Sequence, residues 1–417
     1  MELLSGVRAN LIKNNKFKTN MFGVFFSTPM TIENASRNAL IPAVLRRGTN
    51  TYPTMREISK KLESLYGARF DCGISKKGDI QVIRFYGEVI NQNFINEDKN
   101  ILSEFVDVIK DVIFNPVLED GKFKGDYVAQ EKVKVKDIIE SRKNDKVQYA
   151  LERCYEIMFE GEPYGTSEFG TVEGIDKVSM EELISAYHDM LKNYQVDIVV
   201  SGDITDEEFN SIVSKFNFEP RNTLVVAPYK ENHVENVRNQ TEKFDINQGK
   251  LSLGYRVNVD VKTDDYYKMF VYNGILGGGV QSKLFQNVRE KNSLAYYAFS
   301  RFDKVKSVMG ISSGIEISNY QKALDTILEQ VEDMKRGNIT EYEIETTQKT
   351  IENSLNSMND EQSQVLDFNY TQILTGSNRT LEEIIENIKK VTIEDVTKIG
   401  SRIELDTIYF MTGNKEA

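Results

Sequence analysis

The sequence predicts an α+β fold made of two homologous domains, and three observations carry that expectation. The first is a repeat. Residues 178–183 open a helix that leads to the apolar strand 197–203, and residues 391–396 open a helix that leads to 408–414. Each copy places an acid three positions after a hydroxyl residue, Ser179 with Glu182 and Thr392 with Asp395, the spacing of a helix amino-terminal cap. A second echo pairs 64–70 with 293–299. Copies about half a chain apart mean two domains rather than a short-period solenoid. The second observation is mixed periodicity, with helical apolar stripes beside strand-like alternation. The third is the polar run from Pro220 to Asn236. It sets the expected boundaries: a domain at 1–215, a linker at 216–239, and a domain at 240–417.

The elements follow in order. Thr54 and Glu57 cap a helix whose apolar positions Ile58, Leu62 and Leu65 share a face, and Gly67 ends it. Ile101, Leu102, Phe105, Ile109, Val112 and Ile113 form a second stripe, stopped at Asn115-Pro116. Leu251, Leu253, Tyr255 and Val257 alternate with Ser252, Gly254 and Arg256 as a strand does. Ala323, Leu324, Ile327, Leu328 and Val331 line a helix that ends at Gly337. Thr340 and Glu343 cap a long charged helix with Ile344, Ile351 and Leu355 inward. Helices segregated from antiparallel-looking strands point to α+β.

Composition removes several function classes. With 40% hydrophobic and 28% charged residues over 417 positions, the chain is globular and can build two cores. A net charge of −12 argues against nucleic acid as a partner. Cys72 and Cys154 are too few for a disulfide framework, which suggests a reducing compartment. No leader-like apolar stretch opens the chain and no segment is apolar enough to span a bilayer, so a cytoplasmic protein with no membrane partner is expected. The only histidines, His188 and His233, stand 45 positions apart, so a local two-histidine metal motif does not exist. His188 reads as a surface or interface residue and His233 as part of the linker.

Three blocks carry the functional signal. Residues 39–49 read A-L-I-P-A-V-L-R-R-G-T. Pro163-Tyr164-Gly165-Thr166 precedes Gly170-Thr171. Residues 277–285 read G-G-G-V-Q-S-K-L-F, followed at 289–296 by R-E-K-N-S-L-A-Y. In this order, and across nearly the whole chain, they resemble the pitrilysin/insulinase family of zinc peptidases. Members of that family carry an H-x-x-E-H zinc signature just before the Gly-Thr landmark. Counted back from Gly48-Thr49, its histidines fall on Ala39 and Ala43 and its glutamate base on Pro42. The family's third ligand, a glutamate, falls on Ile138, seven residues after Glu131. Alanine, proline and isoleucine can neither bind zinc nor take a proton from zinc-bound water. Glu131 matches an auxiliary glutamate of the family, or is a solvated helix charge paired with a lysine.

The resemblance implies that Arg289 and Tyr296, both retained, donate hydrogen bonds to a substrate peptide. An uninterrupted helix would set them two turns apart, although Asn292-Ser293 could break it. Gly277, Gly278 and Gly279 would border the peptide with bare backbone. They lack the G-K-[ST] ending of a phosphate loop. Gln248 matches a frequent family glutamine with a structural role. Pro42 is tolerated in a helix's first turn, so it constrains where its helix begins. The resemblance further implies two mostly antiparallel sheets, each with helices on one face, enclosing a chamber. The nearest likeness is to zinc-less members of bacterial peptidase pairs. The expectation is therefore an inactive subunit with no cofactor of its own, which binds peptide and completes the site of a zinc-bearing homologous partner. The alternative is a peptide-binding or scaffolding homodimer without proteolysis.

Overall fold

In the computed structural model, residues 1–96, 99–221, 229 and 231–413 are described. Most of the 222–230 stretch of the expected linker, and Asn414 at the end of the second repeat, lie outside them. The chain divides into two compact units. The first holds Met1–Glu140, Thr166–Val226 and Glu361–Thr371, and the second holds Ser141–Gly165, Ala227–Asp360 and Gln372–Ala417. This division departs from a simple cut at 216–239. Each half of the sequence lends one helical segment to the other half's unit.

The first unit contains β1 (Glu2–Leu4), β2 (Val7–Lys13), β3 (Thr19–Pro29), β4 (Arg69–Lys77), β5 (Ile80–Ile90), the short pair β6 (Leu118–Glu119) and β7 (Lys122–Phe123), and β8 (Gln195–Gly202). Its main sheet runs β1-β2-β8-β3-β5-β4. The second unit contains β9 (Arg238–Phe244), β10 (Gly249–Arg256), β11 (Ala295–Asp303), β12 (Val308–Ile315) and β13 (Glu404–Gly413). Its sheet runs β11-β12-β10-β13-β9. Leaving β1 aside, the two orders superpose strand for strand: β2 on β9, β8 on β13, β3 on β10, β5 on β12 and β4 on β11. In both, the first pair is parallel, β2 with β8 and β9 with β13, and the remaining pairs are antiparallel. The sheets are thus mixed rather than purely antiparallel. Both sequence echoes fall on equivalent elements, the longer on β8 and β13 with their preceding helices, the shorter at the start of β4 and β11.

Local chemistry explains the helices. Capping boxes open Met55–Ser64, Met180–Asn193, Glu341–Met358 and Ile393–Gly400 at Thr54, Ser179, Thr340 and Thr392. Tyr320–Arg336 ends at Gly337, which takes a left-handed φ of 77° that glycine adopts without Cβ strain. Ile32–Leu45 corrects one expectation, because Pro42 lies inside it, far beyond the first turn. A proline here cannot donate to the carbonyl of Asn38, a defect that ordinarily costs about 3 kcal/mol. Burial of Ala39, Leu40, Ile41, Val44 and Leu45 on the same helix outweighs that cost.

Helices cover both faces of each sheet, not one. In the first unit Phe22, Val24 and Phe26 of β3 point into the main core. On the opposite face, Phe25 stacks on Tyr370 at 4.2 Å between ring centroids, and Ser27 shares a 2.6 Å hydrogen bond with the Tyr370 hydroxyl. Tyr370 belongs to the lent segment, as does Gln362, whose amide donates to Thr19 and Ser201 carbonyls. In the second unit the lent helix is Lys146–Met158. Gly254 and Gly310 face each other across β10 and β12. A Cβ at Gly254 would come within 2.8 Å of Met158 Sδ, and one at Gly310 within 2.3 Å of Tyr155 Oη. The paired glycines make the seat for this helix. Arg238 and Arg256 then donate to the Met158 carbonyl at the helix's carboxyl end, and Arg256 also reaches Asp406 at 2.8 Å.

Candidate functional site

The degenerate zinc positions lie in the first unit on helix Ile32–Leu45 and on helix Gly125–Ser141. Ala39 is buried, and the Pro42 carbonyl accepts a 3.2 Å hydrogen bond from the Cys72 thiol on β4. Burial pushes that thiol up to about 12, so it stays protonated and offers no thiolate. Asn38, just before Ala39, is fully buried. Its amide donates to Gln81 at 2.8 Å and its carbonyl accepts from the Tyr194 hydroxyl at 3.0 Å. Sequence reasoning did not single out this network, since a lone asparagine in an apolar stretch reveals no partner.

Glu131 is buried rather than solvated. It pairs with Lys134 at 2.8 Å, as a helix charge would, and lies 3.3 Å from Arg47. Arg47 also bonds Gln130 and sits 4.8 Å over the Tyr127 ring. The Glu131 carboxylate is therefore held between two cations. Ile138, at the third ligand position, is 43% exposed. Among the described residues no group of three or more His, Cys, Asp or Glu side chains could hold a metal ion.

The retained motif lies in the second unit. Helix Asp265–Gly277 leads into the glycines, which do not behave alike. A Cβ at Gly277 would meet the Ser300 amide nitrogen at 2.3 Å, and one at Gly278 the Gly274 Cα at 2.7 Å, whereas Gly279 has open space around it. Gly277 is buried, so packing against β11 accounts for its lack of a side chain; Gly278 and Gly279 are exposed. Beyond them Lys283, itself buried, pairs with Glu343 at 2.8 Å, the same carboxylate that caps helix Glu341–Met358.

Residues Phe285–Lys291 wind as a π-helix, a form that often marks functional sites. The segment stops there. Ser293 takes a left-handed φ of 49°, and β11 begins at Ala295. Arg289 and Tyr296 are thus not two turns apart on one helix. In the β11–β12 ladder Ala295 pairs with Ile315 and Tyr297 with Gly314, which leaves Tyr296 as the extra residue of a bulge. A bulge re-aims a side chain. Tyr296 is 60% exposed, and Arg289 has an ion pair with Glu290 at 3.6 Å. The motif loop Pro163–Gly165 lies elsewhere in this unit, with Tyr164 donating to Asp303 at 2.7 Å. Gln248 accepts from Lys250 beside β10, a structural contact. His233 pairs with Glu404 at 2.8 Å, and His188 is exposed on its helix.

Comparison with known proteins places this arrangement. The chain is 33% identical over 99% of its length, and 97% of the relative's, to a probable inactive metalloprotease, YmfF, of Bacillus subtilis. The chain belongs to the M16 peptidase family. The family model described as the M16 peptidase inactive domain matches residues 177–351. The crystal structure of a conserved protein from Enterococcus faecalis superposes with a TM-score of 0.93 at 32% identity, covering 100% of this chain and 99% of that one. An M16 inactive domain from Pseudomonas fluorescens superposes at 0.80 with 17% identity, covering 100% and 98%, which shows the shared fold. This chain is an inactive homologue of the M16 metalloproteases. No helix among its described residues is long and apolar enough to cross a membrane.

Proposed function

We propose that this M16 chain is the zinc-less subunit of a peptidase complex: it binds the substrate peptide and completes the active site of a zinc-bearing homologous partner. One contrast carries the reading. The positions for zinc and base hold Ala39, Pro42, Ala43 and Ile138, while Arg289 and Tyr296 stand exposed on a π-helix and a bulge in the other unit. The exposed guanidinium and phenol leave hydrogen-bond donors available to a peptide. In this reading the guanidinium fork and the phenol donate to carbonyl oxygens of the peptide. The exposed backbone of Gly278 and Gly279 borders it, and Gly277 contributes by letting β11 pack close. The peptide-holding chamber, the cytoplasmic setting and the paired state belong to the same proposal.

Coexpression with a homologue that retains H-x-x-E-H tests the reading. A stable complex that cleaves peptides, where neither subunit alone does, is the expected result. A chain that forms only a homodimer and binds peptides without any cleavage in the presence of such a homologue would favour the scaffolding alternative.

A further inference from the structure

We propose that Phe285 is the positioning residue of Arg289, holding its guanidinium flat so that the N–H edge faces outward; the inference rests on the peptide-binding reading above. The Arg289 guanidinium carbon lies 4.6 Å from the Phe285 ring centroid. Its ion pair is the loose one to Glu290 at 3.6 Å, and its side chain makes no hydrogen bond among the described residues. The side chain is 43% exposed. A structural arginine spends its donors on carboxylates or carbonyls, as the buried Arg256 does with Asp406 and the Met158 carbonyl.

Stacking is different in kind. The five donors of a guanidinium lie in its plane, at the rim, so an aromatic ring against one face consumes none of them. The ring contact restrains the guanidinium without using its hydrogen-bond donors. The ring in turn has a firm base. Leu284 and Val288, on either side of it in sequence, are fully buried, and Asn287 donates to Gln330 of helix Tyr320–Arg336. Ser282 bonds both the Gly279 carbonyl and the Phe285 amide, tying the glycine turn to the start of the π-helix. Arg289 is thus restrained without being satisfied, the condition under which a donor can meet an incoming carbonyl with little ordering cost.

Two measurements test the proposal. The first needs no ligand: in arginine-labelled protein, the Arg289 side-chain protons should show a ring-current shift that Phe285→Leu abolishes and Phe285→Tyr retains. Absence of that shift in the unaltered chain overturns the proposal. The second uses fluorescein-labelled peptides from a limited casein digest, with binding followed by anisotropy. Phe285→Leu should weaken binding about two- to fivefold, the size of an exposed cation–π contact. Phe285→Tyr should restore it, and the Leu effect should vanish in an Arg289→Ala background. A Leu effect of the same size without Arg289 would show a merely structural ring and overturn the positioning role. Unchanged binding in Arg289→Ala, or no binding by the unaltered chain, sinks the peptide-binding reading instead, and the ring-current result then decides the stack alone.

Discussion

The two units share one strand order and have opposite fates at equivalent places. Helix Ile32–Leu45 follows β3, and helix Asp265–Gly277 follows β10, its topological counterpart. The first helix carries Ala39, Pro42 and Ala43 towards its carboxyl end; the second runs into the exposed Gly278 and Gly279. Around the first, polar groups are consumed internally, the Cys72 thiol on the Pro42 carbonyl and Glu131 between Arg47 and Lys134. Around the second, Arg289 and Tyr296 keep their donors outward. The comparison teaches that one strand order can carry two different surfaces at equivalent helices. Ala39 and Pro42 pack in the first unit's interior without needing side-chain partners, because neither carries a polar side-chain group to satisfy.

The largest expected effect concerns the lent helices. Tyr370→Ala removes a fully buried ring from Phe25 and leaves the Ser27 hydroxyl without its partner. It should cost about 3–5 kcal/mol in a urea melt, the usual range for a buried aromatic truncated to alanine. A cost near zero would mean that the lent segment does not hold the first unit together.

Next is the retained pair. In a reconstituted complex Arg289→Ala should lower peptide cleavage about a hundred- to thousandfold, or roughly 2.7–4 kcal/mol, with assembly unchanged by size-exclusion chromatography. A surface ion pair alone would be worth about 0–1 kcal/mol and would leave turnover nearly intact. The second result would erase the contrast between the units.

A smaller effect is expected at Lys283. Glu343→Gln keeps a capping side chain at the helix start but strands a buried lysine. Breaking such a pair should cost about 1–3 kcal/mol, less than a fully enclosed one because Glu343 is partly exposed. Burial pushes the Glu343 carboxyl up, but Lys283 and the Thr340 amide outweigh it and hold it below the usual value. Its contribution is therefore present above about pH 4.3 and is lost as pH falls through the lowered folded value. The difference between the unaltered chain and Glu343→Gln should shrink in acid melts.

The smallest effect is a slope. Cys72 is held protonated up to about 12, whereas an unfolded thiol releases its proton near pH 8.5. Between those values only the folded chain keeps the proton, so stability falls as pH rises. Cys72→Ala should flatten that alkaline limb, and neither Cys72 nor Cys154 should react with a thiol reagent before unfolding. Rapid native labelling would contradict the closed character of the degenerate site.

Much of this was legible in the residues. Capping boxes at Thr54, Ser179, Thr340 and Thr392 announced their helices because the cap and its acid are three positions apart. The repeat announced equivalent strands, and the block from Gly277 to Tyr296 announced the family. Those signals are local or linear, so a one-dimensional reading recovers them. Three outcomes were decided only by tertiary structure. An apolar stripe says that a helix will pack but not against which sheet, so the exchange of Lys146–Met158 and Glu361–Thr371 was invisible until Gly254, Gly310 and Phe25 appeared beneath them. Pro42 stands deep in its helix because packing across the core outweighs one missing hydrogen bond, and no local rule contains that sum. The separation of Arg289 on a π-helix from Tyr296 on a bulge depends on how β11 registers against β12, a long-range pairing that the spacing of seven residues does not encode.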